Sequence, residues 1–281
     1  MSVLILGGGG FLGGHIAPAI RMSDREAITL GRSGEVDVVC DATKTDQLAS
    51  HLREIRPTTV VNLLGTGLSD SSANLAAMET VNARFPAILA ALMTSAAPGA
   101  HLIHAASSTE APDASGVFES DYSRSKALGT EYLWDSRAEL PITILRVHNT
   151  YGPDQPGRRF VASTIDSLAS GRDVSLRHPE RVRDFIHVDD VAHAFLAAVD
   201  LPASDRVIYD VGTGVGTSLK SVVHTVAEIV GVEPPFVASH LPDDRHPRCV
   251  APHGSQLVPA TIDLRHGLET TITQRLKERE H

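Results

Sequence analysis

Up to about residue 150 the chain alternates short β-branched or apolar runs with segments of helical length. The predicted strands are SVLIL (2–6), AITL (27–30), VDVVC (36–40), TTVVNLL (58–64), AHLIHAA (100–106) and PITILRV (141–147). Several are apolar at consecutive positions rather than at every second one, as expected of parallel strands covered by helices on both faces. Between them the pattern predicts helices over 45–56, ended by Pro57, over 73–96, with Pro86 inside as a candidate kink, and over 121–138. The expected fold is α/β, a Rossmann-type doubly wound parallel sheet.

After residue 150 the texture changes to loops rich in Gly, Pro and Arg (152–159, 177–184, 241–248), with shorter helices and isolated strands between them. This predicts a dinucleotide-binding domain over 1–150, to which 184–215 contributes back, and a smaller, interrupted substrate-binding lobe over 151–281. Hydrophobic residues make up 42% of the 281 residues, enough for a full core, which excludes disorder. The net charge of −9 argues against a nucleic-acid partner. Two cysteines, Cys40 and Cys249, are too few for a disulfide framework, so a reducing, cytoplasmic setting is expected. No window of about 18 residues is continuously apolar, so no membrane partner is expected. The N-terminus lacks the basic start of a secretory signal.

The first strand runs into Gly7-Gly8-Gly9-Gly10-Phe11-Leu12-Gly13. Glycines at 7, 10 and 13 let backbone approach a pyrophosphate, and the amides of Phe11 and Leu12 open a helix whose dipole stabilises its charge. A site preferring NAD carries an acidic residue after the second strand, to bind the ribose hydroxyls. Here Gly31 stands in that place, followed by Arg32 and Ser33, a cation and a hydroxyl suited to a 2′-phosphate. The expected cofactor is NADP(H), with NAD as the alternative.

Ser107, Ser108 and Thr109 follow the fifth strand, at the carboxyl edge where open α/β sheets bind ligands. Tyr122 and Lys126 follow at i,i+4 spacing, which puts phenol and ammonium on one helical face. A nearby cation favours phenolate and makes Tyr122 usable as an acid and base. The histidines show no ligand spacing with thiolates: His101 and His104 lie along a strand and His240, His246 and His253 in irregular chain. No metal site is expected. Asp189 and Asp190 begin a predicted helix and read as structural.

Taken in order, these motifs resemble those of the extended short-chain dehydrogenases/reductases, specifically the NAD-dependent epimerase/dehydratase family, which mostly acts on nucleotide sugars. Asp41 after strand three, Val81-Asn82, the segment from Leu145 to Pro153, Arg183 to Val191, and Asp210 to Gly214 with Ser218 extend the resemblance over 3 to about 275. The resemblance implies that Gly7, Gly10 and Gly13 hold the pyrophosphate and Asp41 sits by the adenine. It implies that Tyr122 and Lys126 are the catalytic pair, Lys126 also holding the cofactor's ribose, with Ser108 as hydroxyl partner, Ser107 as its neighbouring alternative and Thr109 lining the pocket. Asn149 would bind the substrate's sugar or diphosphate, and Arg183, with Arg158, Arg159 or Arg245, would neutralise phosphate.

Two departures bear on the substrate. Family members usually continue with Val-Tyr-Gly and a longer loop, where this chain has Ala111-Pro112 and a short one. The dehydratases carry Thr-Asp-Glu where this chain has Ser108-Thr109-Glu110, which argues against 4,6-dehydration. The expected activity is therefore reduction of a nucleotide-activated keto sugar, such as a 4-keto-6-deoxyhexose, by NADPH with Tyr122 as general acid. A nucleotide-sugar 4-epimerase holding NAD, or a ketoreductase of a non-sugar natural-product intermediate, is the alternative. The family also implies a homodimer through the helices at 73–96 and 121–138.

Overall fold

A computed structural model describes residues 1–67, 74–136, 138–202, 206–233, 236–238, 244–246 and 248–278. In chain order its first part runs β1 (Ser2–Leu6), α1 (Phe11–Met22), β2 (Glu26–Gly31), β3 (Val38–Val39), α2 (Thr45–Ile55), β4 (Thr59–Asn62), α3 (Leu75–Met78) and a π-helical turn (Glu79–Arg84). It continues with α4 (Phe85–Ala96), β5 (His101–Ser107), a 3₁₀ turn (Ser108–Glu110), α5 (Asp121–Trp134) and β6 (Ile142–Val147). Then follow β7 (Asn149–Tyr151), α6 (Phe160–Leu168), β8 (Val174–Leu176), β9 (Val182–His187), α7 (Val188–Val199), β10 (Val207–Val211), β11 (Gly216–Ser218) and α8 (Leu219–Val230). The chain closes with β12 (Phe236–Ala238), β13 (Arg248–Cys249) and α9 (Leu264–Glu278). Two compact units result, Met1–Val147 with Ala192–Asp210, and His148–Val191 with Val211–His281.

The first unit is built on a seven-stranded sheet in the order β10-β6-β5-β4-β1-β2-β3, with parallel pairing from β3 through β6. This is the doubly wound order, and its reversal between β1 and β4 is where such sheets place ligands. Consecutive apolar residues of β1 are buried on both faces, from Val3 to Leu6. On one side Leu4, Leu6, Val60, Leu102, Ile142 and Ile144 pack with Leu48, Leu52, Phe85, Leu89, Met93 and Leu133 of the helices. The stretch Leu75–Ala96 is long and apolar enough to cross a bilayer by length and composition. Its Met78, Ala83, Phe85, Leu89, Ala90 and Met93 are buried in this unit. Ala73, where the sequence places the helix start, lies outside the described residues.

Pro86 does not break this stretch. It enters at the first turn of α4, where a missing N–H is tolerated, and the preceding turn widens to a π-helix. The helix predicted to reach 138 ends at Trp134. Arg206, from the returning segment of the same unit, donates to the carbonyls of Leu133 (3.4 Å), Ser136 (2.5 Å), Ala138 (2.9 Å) and Trp134. A guanidinium thus binds carbonyls of the last turn of α5 and of the chain just after it, where helical donors run out. Arg206→Ala is expected to lower the unfolding free energy by about 2 kcal/mol. An unchanged denaturation midpoint would remove Arg206 from this role.

In the second unit β9 pairs with β7 and β13 in parallel and with β11 antiparallel, and β8 pairs with β12. Its core joins Tyr151, Phe185, Val174 and Leu176 to Ile165, Leu168, Val222, Val226, Leu268 and Ile272 of α6, α8 and α9. Asp184 is fully buried and accepts from Thr213 N (2.9 Å), Thr213 Oγ1 (2.6 Å), Gly214 N (2.8 Å) and Ala251 N (3.2 Å). Two segments distant in sequence, Arg183–Val191 and Asp210–Gly214, are joined through this one carboxylate. Asp190 is structural in another way: it accepts from Thr261 N and Oγ1 and from Ile262 N at 2.9–3.0 Å.

Candidate active site

The glycine turn leaves β1 with Gly7 at φ +84° and its N–H bonded to Leu30 O at 2.8 Å. A left-handed residue here is what glycine supplies without strain. A Cβ on Gly8 would lie 2.5 Å from Thr29 Cβ, and one on Gly13 would lie 2.5 Å from Gly8 O. The turn is therefore packed to backbone contact against β2 and the first turn of α1. Gly10 is the N-cap of α1 and no side chain caps the helix, so the amides of Phe11 and Leu12 open it. A cradle this close to backbone fits a pyrophosphate.

Beyond β2 the chain folds back over the glycines. A Cβ on Gly31 would come 3.2 Å from Val36 Cγ1, and one on Gly9 would come 2.7 Å from Ser33 O. Asp37 anchors this loop by accepting from Thr29 N (2.8 Å), Thr29 Oγ1 (2.7 Å) and Arg21 (2.7 Å). The Thr29 hydrogen bonds, with the Arg21 charge, hold its carboxyl below the ordinary range. Arg32 and Ser33 are exposed. Asp41 accepts from Thr43 N and Oγ1 at 3.0 and 2.7 Å, and these bonds, with the charges of Arg32 and Lys44, hold its carboxyl low. The Arg32 cation therefore shares its surroundings with an ionised carboxylate.

At the end of β5 the three hydroxyls have different surroundings. Ser107 caps the 3₁₀ turn, its Oγ accepting from Thr109 N at 3.3 Å and paired with Thr109 Oγ1 at 3.0 Å. Thr109 Oγ1 also accepts from Ser123 Oγ at 2.9 Å, so it ties the strand exit to α5 rather than presenting an open hydroxyl. Ser108 is partly buried in the same turn. Ser120 caps α5 through Ser123 N, and Tyr122, Lys126 and Thr130 recur along one face of that helix. Tyr122 is half-buried, whereas Lys126 is 3% exposed and donates to Ala105 O at 2.7 Å. Burial pushes the Lys126 ammonium down to about 8, against the pull of Glu110.

Two further residues, Asn82 and Glu110, complete this region. Asn82, in the π turn, donates to Ser125 Oγ (2.9 Å) and Thr66 O (2.8 Å) and accepts from Thr66 N (2.9 Å), bridging the exit of β4 to α5. Glu110 accepts from Ser107 N at 2.8 Å and from Thr130 Oγ1 at 2.9 Å. The signal for Asn82 was an amide amid apolar helix. For Glu110 it was a carboxylate directly after three hydroxyl residues at the end of a buried strand.

The candidates of the second unit lie as follows. Asn149 is half-buried on β7, Arg158 and Arg245 are exposed, and Arg159 is the N-cap of α6. Arg183 is 3% exposed and its Nη1 donates to Val182 O (2.9 Å) and His246 O (3.0 Å). Arg181 grips Asp244 with two bonds of 2.6 Å, which hold that carboxyl down to about 2. Two arginines thus fasten the segment 244–246 to β9. His101 and His104 are engaged with Thr143 (2.8 Å) and Asn62 (3.1 Å). His240 lies outside the described residues. No group of three or more His, Cys, Asp or Glu suited to a metal occurs among the described residues.

The sequence model of the NAD dependent epimerase/dehydratase family matches residues 3–212. The chain belongs to this family. A dTDP-L-rhamnose 4-epimerase of Burkholderia thailandensis is 28% identical over 123 residues, 41% of this chain and 34% of that relative. This chain spans about a third of the length of the curated relatives it matches first. Among solved structures, a UDP-glucose 4-epimerase of Thermotoga maritima with UDP-glucose superposes with TM-score 0.86 at 21% identity, over 99% of this chain and 100% of that one. A UDP-glucose 4-epimerase of Thermus thermophilus in complex with NAD gives 0.79 at 25% identity, over 98% and 99%. The epimerase/dehydratase fold therefore extends over the whole chain, including the region after residue 212.

Proposed function

We propose that this member of the epimerase/dehydratase family is a nucleotide-sugar 4-epimerase with a nicotinamide dinucleotide as its resident cofactor. The observation that carries the reading is the placement of Tyr122 and buried Lys126 on one face of α5, beside the hydroxyl turn Ser107–Thr109 and in the unit that holds the glycine cradle. The relatives support epimerisation over the net reduction expected from sequence, because those compared above are 4-epimerases.

Bound at the cradle, the dinucleotide supplies reversible hydride acceptance. Gly7, Gly10 and Gly13, with the amides of Phe11 and Leu12, hold its pyrophosphate. Tyr122 holds and moves the proton of the sugar C4 hydroxyl, Ser108 donates a hydrogen bond to the same oxygen, and the Lys126 cation favours the phenolate state. In the second unit Asn149 and Arg183 recognise the sugar diphosphate, with Arg158 and Arg245 as exposed cations. A second copy of this chain pairs through α4 and α5, where Ile88, Tyr132 and Trp134 are 40–45% exposed.

A second reading, an NADP(H)-dependent keto-sugar reductase, is favoured by Gly31 and exposed Arg32 and Ser33 at the end of β2. Asp41 beside Arg32 weakens it, because an ionised carboxylate repels a 2′-phosphate. Mass spectrometry of the cofactor released from purified protein, with chromatography of UDP-glucose and dTDP-rhamnose after incubation, separates the two. The epimerase reading expects retained NAD and interconversion of C4 epimers without added cofactor. Exchangeable NADP(H) with NADPH oxidation by a 4-keto sugar would replace it by the reductase.

A further inference from the structure

We propose that Glu110 is a positioning residue for Lys126, a fixed counter-charge that keeps the buried ammonium protonated and in place. This rests on the assignment of Lys126 to the site but not on the identity of the substrate.

Both oxygens of the carboxylate are held. Oε1 accepts from Ser107 N, so it is fixed to the last residue of β5. Oε2 accepts from Thr130 Oγ1, one helical turn beyond Lys126 and two beyond Tyr122 on the same face of α5. Lys126 Nζ donates to Ala105 O, two residues before Ser107 on the same strand. Anion and cation are thus each tied to the end of β5, and the helix that carries one binds the other. With three proton donors on Nζ and one carbonyl partner at 2.7 Å, the charge of a side chain only 3% exposed needs an anion nearby.

Among the described residues Glu110 is the one carboxylate whose charge acts on Lys126. The other groups around the pair do not replace it. His104 on β5 is kept neutral by burial and by the Lys126 charge, and its Nδ1 is engaged by Asn62. Arg146 on β6, opposite Ala106, is a cation whose charge acts on Glu110. Glu79 and Arg84 of the π turn pair with each other in solvent. Tyr122 is the remaining titratable group on this face. Burial raises the Glu110 carboxyl, and the Lys126 charge, the bonds from Ser107 and Thr130 and the Arg146 charge oppose the rise.

The chain has four lysines, Lys44, Lys126, Lys220 and Lys277, so the side-chain carbons of lysine labelled with ¹³C give a spectrum simple enough to titrate. The protein is purified with whatever cofactor it retains, and Lys126→Arg assigns the signal. In the unaltered protein Lys126 is expected to titrate near 8. In Glu110→Gln, which keeps the shape of the side chain, its midpoint should fall by about one pH unit while the other three lysines stay in place. Thr130→Val, which loosens the carboxylate without removing its charge, should lower it by a smaller amount. If Glu110→Gln does not fold, Thr130→Val decides alone. A Lys126 midpoint unmoved in the folded variants would overturn the proposal, even if the enzyme proves to be an epimerase. A shifted midpoint without epimerase activity would sink the functional reading and leave this one standing.

Discussion

Tyr122→Phe is expected to lower turnover of a C4-epimeric nucleotide sugar by about 10³-fold while leaving cofactor affinity within about twofold. The substitution removes one oxygen from a half-buried side chain and keeps the ring that packs at the head of α5. The Ser120 cap, the Ser123–Thr109 bond and the Lys126–Ala105 bond do not involve the phenol, so the helix and the cradle should persist. Under the proposed mechanism the variant loses the group that holds the C4 proton, and neither Ser107 nor Thr109 can replace it, because their hydroxyls are engaged with each other and with Ser123. Steady-state kinetics and a fluorescence titration of the dinucleotide measure both halves. Turnover retained within tenfold would remove Tyr122 from the mechanism.

What the sequence could disclose follows from the range of the interactions. Buried parallel strands announce themselves by consecutive apolar residues, and β1, β4, β5 and β6 lie where those runs predict them. The glycine turn and the Tyr122–Lys126 spacing are equally local. The strand predicted over 36–40 shrinks to Val38–Val39, because Asp37 turns back to Thr29 and Arg21 and the loop before it folds over Gly9 and Gly31. Pro86 marked an irregularity, yet periodicity could not show that it would be resolved as a π turn. The parts that stayed hidden join residues far apart: Asn82 to Ser125, Glu110 to Thr130, Asp184 to Thr213, and Asp190 to Thr261. Each is a polar side chain whose partner is a backbone amide or a hydroxyl, groups too common for spacing alone to single out. Thr109 adds a further contact of this kind, its hydroxyl lying between those of Ser107 and Ser123.

Gly129→Ala should be among the most damaging single-atom additions in the first unit. A Cβ there would lie 2.0 Å from the carbonyl oxygen of Asn82, 3.2 Å from its carbonyl carbon and 3.5 Å from Pro86 Cγ. The obstructing atom is backbone, in a π turn held on both sides by helix, so it cannot rotate away as a side-chain tip would. α5 and the π turn must part by about 1 Å, in the range where overpacking costs about 3 kcal/mol or more. Alanine would otherwise favour a helix interior by about 1 kcal/mol over glycine, so the clash wins and the net loss is about 2–3 kcal/mol. Gly14→Ala in α1, where nothing lies within 4 Å of the added atom, isolates that propensity and should be neutral or stabilising. The displacement also reaches the site, because Asn82 holds Ser125 and the exit of β4, and Tyr122 and Lys126 ride on the helix that must move. A shift of this size costs about 10² in rate when it misplaces a reacting group. Thermal denaturation and kinetics of the two alanine variants side by side provide the test, and a Gly129→Ala protein as stable and active as Gly14→Ala would show that α5 does not depend on this contact.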